Sequence, residues 1–162
     1  AAVSRWPARS AACQAARAAT PRKPTFLIET CYENESIQGC NKAPKEARRR
    51  QWWGLLSCGA GEISGNHPIW SFDTDWQQAL TSPVSNSQVR LVTIAHSLQW
   101  QTLVPDNAMV TAGSGSDYKK AVAAARTADR KQALIYLPPD TAPSITIDLS
   151  HMIEPVRAST AT

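Results

Sequence analysis

Two carboxylates follow a short apolar run near the start of the chain. The run Pro-Thr-Phe-Leu-Ile at 24–28 is typical of a buried strand; Glu29 follows it directly and Glu33 lies four residues further on. In a parallel α/β sheet or barrel, catalytic groups lie at the carboxyl ends of the strands. A carboxylate there is costly to desolvate unless something uses it. The sequence therefore makes Glu29 the first candidate for acid–base or nucleophilic chemistry, and Glu33 the second.

Each of these carboxylates has a plainer alternative. Glu29 can be a solvated residue at a strand end. Glu33 can orient Glu29 or substrate hydroxyls, or it can be a loop carboxylate in water. His67 lies in a connection rich in glycine and proline, where it either contacts a ligand or is an ordinary loop histidine. The pattern leaves these alternatives open.

Metal and cofactor sites are not expected. The three histidines are scattered, and the four cysteines contain no CxxC pair. Cys31 and Cys40 flank a polar loop and are able to form a disulfide in an oxidising compartment. The alternative that we favour is a set of small buried thiols with one further thiol in the N-terminal segment.

Two strand–helix pairs position the carboxylates. The strand at 24–29 is followed by a helix predicted over Lys45–Cys58, with Pro44 in its first turn. A short strand at 61–65 comes next, and a second helix is predicted over Ser85–Leu103 because its apolar side chains recur at helical spacing. This order is typical of parallel α/β architecture.

The pattern changes after Pro105. Three strands are predicted, over Lys120–Thr127, Gln132–Leu137 and Ser144–Leu149, and alternating apolar and polar residues make the last one typical of a half-buried antiparallel strand. We place a domain boundary near 105–112. About 50 residues with three strands are few for an independent sandwich, which usually has about seven.

The charge is concentrated at the N-terminus. Residues 1–23 carry five basic side chains and no acid, whereas the remainder has 12 basic and 13 acidic residues. This distribution does not favour a nucleic-acid partner, and no apolar run is long enough to cross a membrane. We expect residues 1–23 to be a poorly ordered tail or the remnant of an upstream helix, and Arg48–Arg50 to be a solvated patch on a helix.

Several segments together resemble one family. They are PTFLIETCYE, ARRRQWWGLLSCGAGEISGNHPIW, WQTLVPD and ALIYLPPD. In this order they resemble the apiosidase-like (β/α)8 glycoside hydrolases, in which the barrel is followed by a β-sandwich called a collagen-binding domain. The resemblance covers roughly residues 22–150.

The resemblance implies a fold and a set of roles. Residues 24–105 would be the last two βα units of the barrel, and 106–162 the start of the sandwich. Glu29 matches the position of the nucleophile of a retaining glycosidase. The loop with His67 and Trp70 would border the sugar site, where Trp70 is suited to stack on a sugar ring. An oligo- or polysaccharide of plant or microbial origin would be the substrate, and an extracellular or periplasmic location is suggested.

The resemblance also implies a missing partner for Glu29. The family's general acid/base comes from an earlier barrel strand, and no such strand precedes Pro24 in this sequence. We therefore expect a fragment of a glycoside hydrolase that is inactive alone. The alternatives are a carbohydrate- or protein-binding sandwich without catalysis, and a gene fragment that does not fold. The oligomeric state, the sugar and the linkage do not follow from the sequence.

Overall fold

The protein is a mixed α/β chain with four α-helices, seven short strands and 3-10 turns among the residues that its computed structural model describes. These are residues 6–21, 23–28, 31–35, 43–58, 60–117, 119–141, 143–153 and 155–160, with the backbone alone for 6–10 and 58. The helices are α1 (Trp6–Ala18), α2 (Pro44–Cys58), α3 (His67–Ser71) and α4 (Pro83–His96). The strands are β1 (Leu27–Ile28), β2 (Glu62–Ile63), β3 (Leu103–Pro105), β4 (Val110–Ala112), β5 (Ala123–Thr127), β6 (Ala133–Tyr136) and β7 (Thr146–Ile147).

The first strand–helix–strand unit is confirmed. Strands β1 and β2 pair in parallel, with Leu27 opposite Glu62, and helix α2 connects them. The helix approaches the strands closely because residue 54 is glycine: a Cβ atom there would lie 3.1 Å from Leu27 Cδ2. This unit sets the carboxyl ends of both strands at one edge.

The second long helix starts earlier and ends earlier than the spacing predicts. Helix α4 begins after Ser82, whose Oγ accepts a hydrogen bond from the Ser85 backbone nitrogen at 3.3 Å. It ends at His96, and Leu103 belongs to strand β3. The prediction of a helix over Ser85–Leu103 was wrong at both ends. At the C-terminal end, Leu98 and Leu103 continue the apolar spacing because they pack on the same core, although they lie in a turn and a strand.

Helix α2 lies at the centre of the molecule. It contacts α1, α4, β2, β3, β5 and β6. Trp52 and Trp53 of this helix are buried, and with Leu56 they pack against β3 and β5 residues such as Leu103 and Ala125. One continuous core therefore extends from the first 105 residues into the region beyond them.

We predicted a solvated patch at Arg48–Arg50, and this prediction was wrong for two of the three residues. Arg49 is fully buried and Arg50 is buried, because α2 is covered on several sides. The Arg49 guanidinium lies 2.6 Å from Glu46 Oε1 and 3.1 Å from Asp140 Oδ2, so its buried charge is paired.

The C-terminal region forms two small antiparallel sheets. One has the strand order β3–β5–β6, and the other pairs β4 with β7. The three predicted strands are confirmed with shorter bounds, and Thr141 N donates to Pro138 O at 3.0 Å in the turn after β6. The assignment of this region to a sandwich, and of the first region to a barrel, stays a prediction.

The N-terminal segment contains a helix of 13 residues, α1, which packs on α2. Cys13 of this helix and Cys31 after β1 are both in disulfide bonds. The favoured prediction of buried free thiols was therefore wrong for these two residues. Cys40 lies outside the described residues, so its pairing with Cys31 stays a prediction. No helix in the described part of the chain is long and apolar enough to span a membrane.

Candidate active-site cleft

The cleft lies where the chain leaves the parallel strands. Beyond β1 and β2 the two segments stay side by side, with an isolated parallel bridge between Glu33 and Asn66. The Glu33 backbone nitrogen donates to Gly65 O at 2.9 Å, and the His67 nitrogen donates to Glu33 O at 3.1 Å. The backbone of both segments is therefore held in register at the carboxyl edge of the strands.

A cavity of about 290 Å³ opens at this edge. Its wall includes Tyr32, Glu33, Asn66, Trp70, Ser85 and Gln88. The wall combines two large aromatic side chains with a carboxylate, two amides and a hydroxyl. Such a mixture is suited to a ligand with apolar faces and many hydroxyl groups.

Glu33 is buried, with 4% of its surface exposed. Its Oε2 atom accepts hydrogen bonds from Asn66 Nδ2 at 3.2 Å and from the Val84 backbone nitrogen at 3.4 Å. Val84 lies in the first turn of α4, where unpaired backbone N–H groups and the helix dipole favour a negative charge. The alternative of a loop carboxylate in water is excluded for Glu33.

Nothing in the sequence singles out Asn66 as a site residue. It is buried, and besides the bond to Glu33 its Oδ1 atom accepts from Asn34 Nδ2 at 2.8 Å. Asn34 has a φ of 63°, a left-handed conformation that asparagine tolerates better than most residues. Asn34, directly after Tyr32 and Glu33, was the sequence feature that could have indicated this turn.

Tyr32 lies against a glycine on the neighbouring segment. A Cβ atom on Gly65 would be 2.6 Å from Tyr32 Cε2, which is closer than side chains pack. The absence of a side chain at residue 65 therefore lets the tyrosine ring occupy the cleft wall. On the same segment, Ser64 Oγ donates to Cys31 O at 3.1 Å.

His67 is held between two carboxylates. Its Nδ1 atom lies 3.4 Å from Glu35 Oε1, and its Nε2 atom lies 3.5 Å from Asp73 Oδ2. The imidazole also meets the Trp70 ring edge-on, with 5.0 Å between centroids and an interplanar angle of 85°. Trp70 itself is 54% exposed and lines the cleft.

The structure brings three of the four predicted site residues into one region. Glu33 and Trp70 line the cleft, and His67 contacts Trp70. Glu29 lies outside the described residues, and Ile28, the last residue of β1, directly precedes it. Among the described residues, no group of three His, Cys, Asp or Glu side chains is arranged to hold a metal ion.

The fold is shared with known glycoside hydrolases. A glycoside hydrolase family 5 protein from Bacteroides vulgatus ATCC 8482 superposes with a TM-score of 0.71 and 22% identity, over 90% of this chain and 34% of that one. A second protein, described as a glycoside hydrolase, gives a TM-score of 0.63 at 19% identity, over 80% of this chain and 32% of that one. The chain thus spans about a third of the length of these two proteins and has the fold of that part.

The family is defined more closely by the sequence. Residues 7–102 match the family model described as "Apiosidase-like, catalytic domain", which is more than half of the chain. The chain belongs to this apiosidase-like family. The match ends before the two antiparallel sheets, so a collagen-binding-like identity for residues 106–162 stays a prediction. No curated protein matches the sequence.

Proposed function

We propose that this chain contributes the nucleophile and part of the sugar-binding cleft of a retaining glycoside hydrolase that acts on plant or microbial polysaccharide. Glu29 is the nucleophile and attacks the anomeric carbon. The observation that carries this proposal is the position of the cleft at the carboxyl ends of β1 and β2. Glu29 follows β1 directly, at the edge where this architecture presents catalytic groups.

Glu33 has a positioning role in this proposal. Its carboxylate connects the β1 segment to Asn66 and to the start of α4. These bonds hold residues 31–35 against the cleft wall. Glu33 itself lies four residues after the proposed nucleophile, Glu29. A buried carboxylate with these donors keeps its orientation.

His67 and Trp70 bind the substrate. The exposed indole offers an apolar face to a sugar ring, and the imidazole contact restricts its rotation. Glu35 and Asp73 on either side of His67 supply hydrogen-bond acceptors for sugar hydroxyls.

The chain alone does not hydrolyse glycosides in this account. Retaining hydrolysis uses two carboxyl groups about 5–5.5 Å apart, one as nucleophile and one as general acid/base. The family resemblance assigns the acid/base to an earlier barrel strand, and the described residues before β1 contain a helix and no strand. The side chains of Ile28 and Ile63 on the parallel strands, and of Phe26 just before β1, are exposed, as expected if further barrel strands cover them in a larger assembly.

A turnover assay tests the proposal. The purified chain is incubated with a panel of aryl glycosides and with a branched pectic glycan, beside a Glu29→Gln variant. We expect no multiple turnover by either protein, since the resemblance places the group that protonates the leaving oxygen and activates water on an earlier barrel strand. Turnover by the wild type that Glu29→Gln abolishes would confirm the nucleophile but refute the claim that a second polypeptide segment is needed. Turnover that Glu29→Gln leaves intact would refute the nucleophile.

The alternative of a gene fragment that does not fold makes an opposite prediction. The core shared by α2, α4, β3 and β5 predicts one cooperative thermal transition of the isolated chain. A non-cooperative melt would support the alternative.

A further inference from the structure

Cys31 is a buried, disulfide-bonded residue at the start of the cleft wall. Its sulfur atom is in a disulfide bond, and only 2% of the residue is exposed. It lies three residues after the end of β1, and the next two residues, Tyr32 and Glu33, line the cavity. The disulfide therefore anchors the chain directly before two residues of the wall.

Three neighbouring parts of the chain meet at Cys31. Its side chain packs with Ala47 of α2 and with Val84 in the first turn of α4. Its backbone oxygen accepts a hydrogen bond at 3.1 Å from Ser64 Oγ, on the segment after β2. Val84 and Ser64 also line the cavity. Movement of Cys31 would consequently separate the segment after β1 from the other parts of the wall.

The non-covalent restraints on this segment are few. Strand β1 has two residues, and beyond it the two segments are joined by the isolated bridge between Glu33 and Asn66. The buried apolar cluster at Cys31 is small and separate from the main core that α2 forms with β3 and β5. Segments with short ladders and few apolar contacts open locally at low cost. The covalent bond therefore supplies a restraint that a longer ladder would otherwise give.

We propose that the disulfide of Cys31 is a redox switch for the cleft. With the bond intact, residues 31–35 stay against α2 and α4 and the wall is assembled. When a dithiol breaks the bond, this segment leaves the wall while the main core stays folded. The dithiol gives two electrons and two protons to the disulfide, which becomes two cysteine thiols, and is itself oxidised to a cyclic disulfide. The cleft is then complete only in an oxidising compartment.

Amide hydrogen exchange of the whole chain, followed by NMR before and after treatment with dithiothreitol, tests the switch. The amides of Glu33 and His67 donate across the two cleft segments and report on the wall. The amide of Thr127, which donates to Gln132 O at 2.8 Å, reports on the C-terminal sheet. We expect reduction to speed the exchange of the two wall amides by at least about tenfold and to leave the Thr127 amide unchanged.

Two alanine variants separate the bond of Cys31 from other effects of the reductant. Cys31→Ala should show fast wall exchange without dithiothreitol and little further change with it. Cys13→Ala is the matched control, because Cys13 is also buried and disulfide-bonded but lies on α1. It should keep the wall amides protected until the reductant is added.

Three results would overturn the inference. Wall amides that stay protected after complete reduction, with alkylation of Cys31 as proof of reduction, would show that the non-covalent contacts suffice. Equal acceleration of the wall and of Thr127 would show that the disulfide stabilises the whole chain. Opening of the wall in Cys13→Ala would remove the special role of Cys31. The measurement uses no ligand, so its outcome does not depend on whether Glu29 is the nucleophile.

Discussion

The carboxylate of Glu33 lies at the N-terminus of helix α4, where its Oε2 atom is 3.4 Å from the backbone nitrogen of Val84. The two residues are 51 positions apart in the chain. Their contact joins the segment after the first parallel strand to the helix that follows the second. Because Asn66 donates to the same oxygen atom, one buried charge holds three parts of the cleft wall together.

Neutralising Glu33 should therefore destabilise the protein. Glu33→Gln preserves the size of the side chain but removes the charge that interacts with the α4 dipole, and we expect a loss of about 1–2 kcal/mol in the free energy of unfolding. Urea denaturation measures it. Asp75→Asn is the matched control, since Asp75 is exposed and asparagine suits its φ of 63°, and its effect should stay within about 0.5 kcal/mol. Equal effects of the two variants would contradict the role assigned to Glu33.

A second prediction concerns Gly65, the glycine beside Tyr32. Gly65→Ala should force the tyrosine ring out of the cleft wall and destabilise the protein by about 1–3 kcal/mol, because the new Cβ overlaps the ring. In a Tyr32→Ala background the same substitution should destabilise the protein much less, since the space of the tyrosine ring is then empty. A double-mutant cycle in urea measures the coupling. Additive effects of the two substitutions would show that the ring is not what Gly65 accommodates.

Two cations that contact Asp140 should differ strongly in their importance. Arg49→Met leaves the buried carboxylate of Glu46 without its guanidinium partner, and we expect a loss of about 3–5 kcal/mol. Lys45 lies on the same helix, 3.8 Å from Asp140, but is exposed, so Lys45→Met should change stability by less than about 1 kcal/mol. The denaturation midpoints of both variants provide the comparison. A large effect of Lys45→Met would contradict the burial argument.

The C-terminal sheets contain a pH-sensitive contact. Burial by itself raises the pKa of Asp106, but hydrogen bonds from His151 Nδ1 at 2.8 Å and Arg126 Nε at 2.7 Å outweigh it, so the pKa is below its ordinary value. A carboxyl with a lowered pKa in the folded state stabilises the protein above its unfolded pKa, near 4, and this contribution is lost as the pH falls through the folded value.

Asp106→Asn should consequently destabilise the protein at pH 7, by about 2 kcal/mol, and lose most of that difference below pH 3. Urea midpoints of wild type and variant across this pH range test the sign. A difference that is constant with pH would indicate that the carboxylate charge is not involved.

The sequence predicted the elements better than the contacts between them. The apolar run that contains Leu27 was enough to predict β1, and the proline at 44 was enough to predict the start of α2, because both signals are local. The end of α4 was not predictable from periodicity. Leu98 lies in a turn and Leu103 in a strand, but both are apolar because they pack on the same core as the helix residues.

The burial of charged residues depended on distant partners. Arg49 is paired with Asp140, which lies 91 residues away, and nothing near Arg49 in the sequence distinguishes it from a solvated arginine. Glu33 is buried because the start of α4 faces it. The cleft was predictable as far as the position of Glu33 after a strand, whereas the place of Asn66 in its wall required the structure.

Covalent trapping tests the central claim most directly. The chain is incubated with a panel of 2-deoxy-2-fluoro glycosyl fluorides, which form a glycosyl ester with the nucleophile of a retaining glycosidase, and fragment ions of the peptide containing residues 24–42 assign the label. We expect an ester on Glu29 that is absent from Glu29→Gln. An ester on Glu33, or on no residue of the chain, would contradict it.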